Sequence, residues 1–224
     1  TDNQVVALTT LANGDLLAGG WFTTAGGVSC NHIARWNGAA WSPLGAGLGN
    51  GQLLIGPTSV NAIVELPNGD LVAGGNFTTA GGARADFIAR WDGATWSPLG
   101  AGTSFPVHAL ATLPNGDLVA GGWFGSAGGG IVNNVARWDG TAWSALGGGT
   151  NGPVYALATQ PQGDLVAVGS FTTAGGVAAN RVARWDGIAW APLGTGTDGP
   201  VLAVEALPNG DLVAAGYFTT AGGV

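Results

Sequence analysis

Two residue types recur in this chain in a way that could do chemistry. Arginine stands at 35, 90, 137 and 184, each time directly before a tryptophan, and aspartate recurs in step with it at 15, 70, 117, 164 and 211, with a second set at 92, 139 and 186. A guanidinium and a carboxylate make short, charge-assisted and often bidentate hydrogen bonds. An arginine on a strand packed between sheets needs such a partner, because an unpaired buried cation is costly. Arg35, Arg90, Arg137 and Arg184 with Asp15, Asp70, Asp117 and Asp164 are therefore read as a structural ladder of ion pairs. The alternative chemistry for the same residues is an anion groove or a ring of cation sites.

A second group is defined by disagreement among otherwise near-identical segments. One position holds Trp21, Asn76, Trp123, Ser170 and Tyr217, and another holds Val6, Asn61, His108, Tyr155 and Leu202. A third varying segment reads SCNH at 29–32, ARADF at 83–87, GIVNN at 130–134 and VAANR at 177–181. Rigid scaffolds carry function on loops and cavity mouths. Trp21, Trp123 and Tyr217 are candidate stacking platforms, and Asn76, Ser170, Asn61, His108 and Tyr155 candidate polar contacts, for a glycan or protein ligand.

Catalytic arrangements are hard to find. The two histidines, His32 and His108, occupy non-equivalent places, and no Ser-His-Asp or Cys-His pairing suggests itself. Cys30 is the single cysteine, so neither an intrachain disulfide nor a thiolate zinc cluster is available. No D-x-D-x-D-G calcium loop occurs. The expectation is a protein that is not an enzyme, with no metal and no cofactor.

The elements that hold these residues follow from internal repetition. NGDLVAGG stands at 68–75 and 115–122, with close copies at 13–20, 162–169 and 209–216, offset by 55, 47, 47 and 47 residues. RWNGAAWSPLG at 35–45 recurs as RWDGATWSPLG at 90–100, RWDGTAWSALG at 137–147 and RWDGIAWAPLG at 184–194; the fifth copy lacks it. A period of this length belongs to propeller blades or helical arrays, and 43 Gly, 11 Pro and frequent Val and Trp disfavour helices. With 46% hydrophobic and only 8% charged residues, the chain has a core to bury. The glycine does not follow a three-residue period, and no apolar run is long enough to span a bilayer. Six arginines, no lysine and a net charge of −7 exclude the clustered cations that nucleic acids and anionic membranes require.

Within 106–147, PVHALATLP reads as a first strand, and Asn115-Gly116 as a two-residue type I′ turn pairing Leu113 with Leu118. DLVAGG is the second strand. A polar, glycine-rich connection leads to a third strand, NVARW, and Asp139-Gly140 turns it into a fourth, AWSALG. Trp138 lies diagonal to Trp143 if that loop has two residues and opposite it if the loop has four; both rings share one face either way. Trp36/Trp41, Trp91/Trp96, Trp138/Trp143 and Trp185/Trp190 are expected to pack against the next blade as core aromatics. Four short antiparallel strands per repeat make the fold class all-β, a β-propeller with four full blades and the inner half of a fifth. The blades are read at about 1–46, 56–102, 103–149, 150–196 and 197–224 of a single domain, with an inserted loop at 47–59 whose apolar tip is Leu53, Leu54 and Ile55.

The hydrophobic first strand, the second strand ending in a Gly doublet, the aromatic of RWDG and the Trp of AWSPLG together resemble the kelch repeat of β-propellers, over the whole chain. Trp stands where Tyr is usual in that family. The resemblance implies that the first strand lines a central channel and the fourth lies outermost, and it implies no particular activity.

The expected role is a recognition scaffold, extracellular and bacterial in character given the high Gly, Ala and Thr content, absent Lys and acidic pI. The second reading is a structural repeat array forming a surface or filament assembly, and the third a catalytic propeller of kelch type. The chain is expected to be a piece of something longer, whose fifth blade leaves an open edge that favours self-association or pairing with further strands.

Overall fold

A computed structural model describes residues 1–51 and 56–222. The inserted tip at Leu53, Leu54 and Ile55 lies outside the described residues. Two compact units divide the chain, Thr1–Val107 and His108–Val224. Among the described residues every regular element is a β-strand.

In the first unit one four-stranded antiparallel sheet runs Val5–Thr10, Leu16–Gly20, Ile33–Trp36, Trp41–Pro43, and a second runs Ser59–Glu65, Leu71–Asn76, Ile88–Trp91, Trp96–Pro98 in the same spatial order. The second unit repeats the pattern with Val107–Thr112, Leu118–Gly122, Val135–Trp138, Trp143–Ala145 and with Val154–Thr159, Leu165–Gly169, Val182–Trp185, Trp190–Pro192. Val201–Ala206 and Leu212–Gly216 form a two-stranded sheet. The second strand of each four-stranded blade lies between two neighbours and is almost wholly buried, whereas Leu212–Gly216 is mostly exposed.

The turn between the first two strands differs from the type I′ expectation. Leu113 N donates to Asp117 O at 2.8 Å and Gly116 N to Leu113 O at 2.9 Å, so three residues form the loop. Gly116 has φ +87°, while Asn115 is not in the left-handed region. Pro114 supplies the fixed φ of a type I turn, and glycine takes the following left-handed position, which is how three-residue hairpins close with a bulge. Asn115 Oδ1 then accepts from Asp117 N at 3.1 Å.

The connection after the second strand is also more ordered than a plain loop. Thr24–Ala25 pairs with Val28–Ser29, and equivalent two-residue hairpins recur in the next three repeats. Phe22, Phe77, Phe124 and Phe171, which precede these hairpins, are among the largest fully buried side chains.

At the outer hairpin Trp36 faces Trp41, Trp91 faces Trp96, Trp138 faces Trp143 and Trp185 faces Trp190. The loop therefore has four residues, and the ring centroids lie 5.4–5.5 Å apart at a tilt. Asp92, Asp139 and Asp186 close these loops by accepting backbone N–H groups two and three residues on. The direction of packing corrects the sequence reading. Trp96 Nε1 donates to Leu44 O and Trp190 Nε1 to Leu146 O, each at 2.8 Å, so these rings dock on the preceding blade. The buried indole N–H finds its partner in the second lone pair of that carbonyl, which also accepts from Gly47 N in the first case and Gly149 N in the second.

Candidate functional site

Each repeated arginine meets the aspartate of its own second-strand turn. Arg90 Nη2 lies 2.6 Å from Asp70 Oδ2 and Arg184 Nη1 2.7 Å from Asp164 Oδ2; Arg35 pairs with Asp15, and Arg137 with Asp117. The carboxylates are nearly buried and the guanidiniums about two-fifths exposed. Asn13, Asn68 and Asn115 donate a further hydrogen bond to the same carboxylates. Among the described residues no third strand pairs with Leu212–Gly216, and Asp211 makes no ion pair with an arginine.

The variable positions cluster where the first strand meets the end of the second. Val6, Asn61, Tyr155 and Leu202 each sit at the register shift of their strand pair, between Val5 and Ala7, Val60 and Ala62, Val154 and Ala156, and Val201 and Ala203. A bulge leaves one residue outside the ladder and re-aims its side chain. It also presses the first strand against the second. A Cβ on Gly20, Gly75, Gly169 or Gly216 would overlap the carbonyl oxygen of Gln4, Ser59, Pro153 or Pro200. The last glycine of these four NGDLVAGG copies is therefore required by close backbone approach, and the residue after it is the other variable position.

Those residues divide into two kinds. Trp21, Trp123 and Tyr217 are exposed by 40%, 66% and 78%. Asn76 and Ser170 are half-buried and engaged: Asn76 Nδ2 donates to Pro57 O at 2.9 Å, and Ser170 Oγ lies 3.2 Å from the Tyr155 hydroxyl. Asn61 Nδ2 donates to Val107 O at 3.1 Å. In the second unit His108 stands edge-on to Tyr155, ring centroids 6.0 Å apart, and burial pushes its pKa below the ordinary value. The structure so brings His108, Tyr155 and Ser170 together, with Trp123 and Tyr217 at the equivalent places of the flanking repeats.

The third variable segment holds a pair that pattern reading of the arginines passed over. Arg84 Nη2 lies 2.8 Å from Asp86 Oδ2, and Nε lies 3.1 Å from both carboxylate oxygens. Unlike the ladder arginines, Arg84 has a side chain that is 80% exposed. Its signal in the sequence was its departure from the repeat, since Ser29, Ile131 and Ala178 hold the equivalent position. Among the described residues no group of three or more His, Cys, Asp or Glu is placed to hold a metal ion. No helix is long and apolar enough to cross a membrane.

Residues 11–38 and 160–185 match a family model described as a domain of unknown function (DUF5122) beta-propeller. No curated protein matches the sequence. Among solved structures the chain is similar to the extracellular domain of BT3049, a hybrid two component system protein of B. thetaiotaomicron, with a TM-score of 0.59, 11% identity, and coverage of 95% of this chain and 26% of that one. YCF48 bound to D1 peptide gives a TM-score of 0.54 at 17% identity, covering 95% of this chain and 62% of that one. Virginiamycin B lyase from Staphylococcus aureus gives 0.54 at 14% identity, covering 95% and 63%. The chain thus spans 63% or less of the length of each. The four-stranded blades and these likenesses define the fold as a β-propeller. They also correct the expectation that the chain is not an enzyme: a lyase is among its structural neighbours, so this architecture carries catalysis as well as binding.

Proposed function

We propose that the chain is a recognition propeller of kelch-like type, working outside the cell and binding a glycan or protein ligand at the end of the blades where first strand and second strand converge. The observation that carries this reading is the exposure of Trp123 and Tyr217 at one repeat position, each fixed directly after a strand whose backbone is tightly constrained. Large aromatic side chains left in water at a rigid site contribute little to folding and much to stacking on a ligand. His108, Tyr155 and Ser170 supply donors and acceptors between them. That YCF48 takes a peptide and BT3049 is an extracellular domain supports binding and exposure as uses of such a scaffold. The test is immobilisation of the protein on glycan and peptide arrays: a signal is expected that is lost in Trp21→Ala/Trp123→Ala, and retention of the full signal in that variant overturns the reading.

A second reading rests on the edge of Leu212–Gly216, which among the described residues has one strand partner and exposes Val213 by 54%. Bare backbone groups beside an apolar face recruit further strands. Here the chain serves as assembly material and self-associates through that edge. Light scattering on the 224-residue chain and on a version extended by one RWDG-AWSPLG hairpin checks it; equal association and equal Tm in both count against it.

A further inference from the structure

We propose that the second blade carries a separate binding site for a neutral glycan, built from Arg84, Asp86 and Phe105. These residues line a cleft of about 350 Å³ within the first unit. Arg84 and Asp86 also line an adjoining cleft of about 280 Å³, so the ion pair stands as a ridge between two hollows. Sites for small ligands are concave, largely apolar and fitted with a few convergent polar groups.

Three departures from the repeat coincide at this one place. The position of Asp86 is held by Asn31, Asn133 and Asn180 in the other repeats, and each of these donates its Nδ2 to a backbone carbonyl, of Ala46, Gly148 and Thr195. A carboxylate has no proton to donate, so Asp86 gives up that structural bond. It gains Arg84 instead, where the other repeats carry Ser29, Ile131 and Ala178. Phe105 stands 52% exposed where the two following repeats have Gly152 and Gly199. An exposed ion pair contributes little stability, so folding does not account for the exchange at Arg84 and Asp86.

The chemistry of the cleft selects its ligand. Arg84 Nη1 makes no hydrogen bond among the described residues, while Nε and Nη2 are held by Asp86, which fixes the plane of the guanidinium. Donors and acceptors so lie side by side with no net charge. An anionic ligand would meet Asp86 and a chain of net charge −7, and a cationic one would have to compete with Arg84. Vicinal hydroxyls, which both donate and accept, fit the pair from either side. The ring of Phe105 offers an apolar face to the C–H side of a pyranose.

The experiment separates this site from the aromatic positions at Trp21, Trp123 and Tyr217. Maltose, cellobiose and lactose, with glucuronic acid and glucosamine as charged counterparts, are titrated by calorimetry into the full chain and into Arg84→Ala, Phe105→Ala, Trp21→Ala/Trp123→Ala and the control Ile188→Ala. At least one neutral disaccharide is expected to bind, with affinity about tenfold or more weaker in Arg84→Ala and in Phe105→Ala. Ile188→Ala is expected to bind as the parent does, and Trp21→Ala/Trp123→Ala to retain the component of binding that Arg84→Ala removes. Equal melting temperatures for Arg84→Ala and the parent show that the loss is local. The proposal is overturned if no neutral probe binds, if a charged probe binds more tightly, or if Arg84→Ala binds like the parent. Loss confined to Trp21→Ala/Trp123→Ala overturns it too, while leaving the recognition reading standing.

Discussion

The outer hairpins and the inner ends of the blades obey opposite rules. At the outer hairpin side chains repeat: Trp faces Trp in four blades, and an Asp or Asn closes the loop each time. At the inner end the backbone repeats, with a bulge opposite a glycine that admits no Cβ, while the side chains beside it change from Val to Asn to Tyr to Leu. Packing between blades depends on side-chain shape, so it freezes the residue type. A bulge depends on backbone approach and leaves the side chain that it ejects available for other uses. The difference locates stability at one end of each blade and freedom to specialise at the other.

Breaking the outer rule carries the largest expected cost. Trp190→Ala removes a buried indole and its hydrogen bond to Leu146 O, and a loss of about 4 kcal/mol is expected in denaturant titration. Tyr155→Leu, which copies Leu202, is expected to cost less than about 1 kcal/mol in the same measurement. Equal costs would erase the contrast. Gly169→Ala tests the backbone rule at the inner end. Its methyl group collides with Pro153 O, which cannot retreat without breaking the strand pair, and a loss of about 3 kcal/mol is expected. A near-neutral result would mean that the bulge relaxes and that the glycine is dispensable.

The ion pairs sharpen the comparison further. Arg137→Ala strands the nearly buried Asp117 carboxylate and is expected to cost about 2 kcal/mol, against no measurable loss for Arg84→Ala. Thermal melts of the two variants decide whether the repeated arginines differ from the single exposed one.

The smallest effect is in pH. Hydrogen bonds from Ala142 and Thr141 lower Asp139 from 3.8 to about 2, and bonds from Thr219 and Thr220 hold Asp198 well below the usual carboxylate range. Because the folded values lie below the unfolded ones, this contribution is complete above about pH 4 and is lost as pH falls through the folded values. Asn151 does for Thr172 and Thr173 what Asp198 does for Thr219 and Thr220, without a charge. Asp198→Asn is therefore expected to reduce the fall of Tm between pH 4 and pH 2, and an unchanged slope would show that these loop carboxylates do not govern acid stability.

Much of this molecule was legible in its sequence, since repetition at 47 residues, alternation within NGDLVAGG and paired tryptophans are local properties of the chain. They give strand number, strand order and the face shared by each Trp pair. Local chemistry was less decisive at the turns. Asn115-Gly116 alone favours a type I′ turn, and only Pro114 in its place before them shifts the loop to three residues. The direction in which Trp96 and Trp190 dock depended on which neighbouring blade brought a carbonyl with a second lone pair to the indole N–H, a fact that no single repeat contains. Likewise the sequence marked Arg84, Asp86 and Phe105 only as departures in separate segments. Their meeting in one cleft was decided by tertiary structure, because residues some twenty positions apart come together only when the segment after the short hairpin folds beside the start of the next blade, where Thr103 N donates to Asp86 O at 3.1 Å.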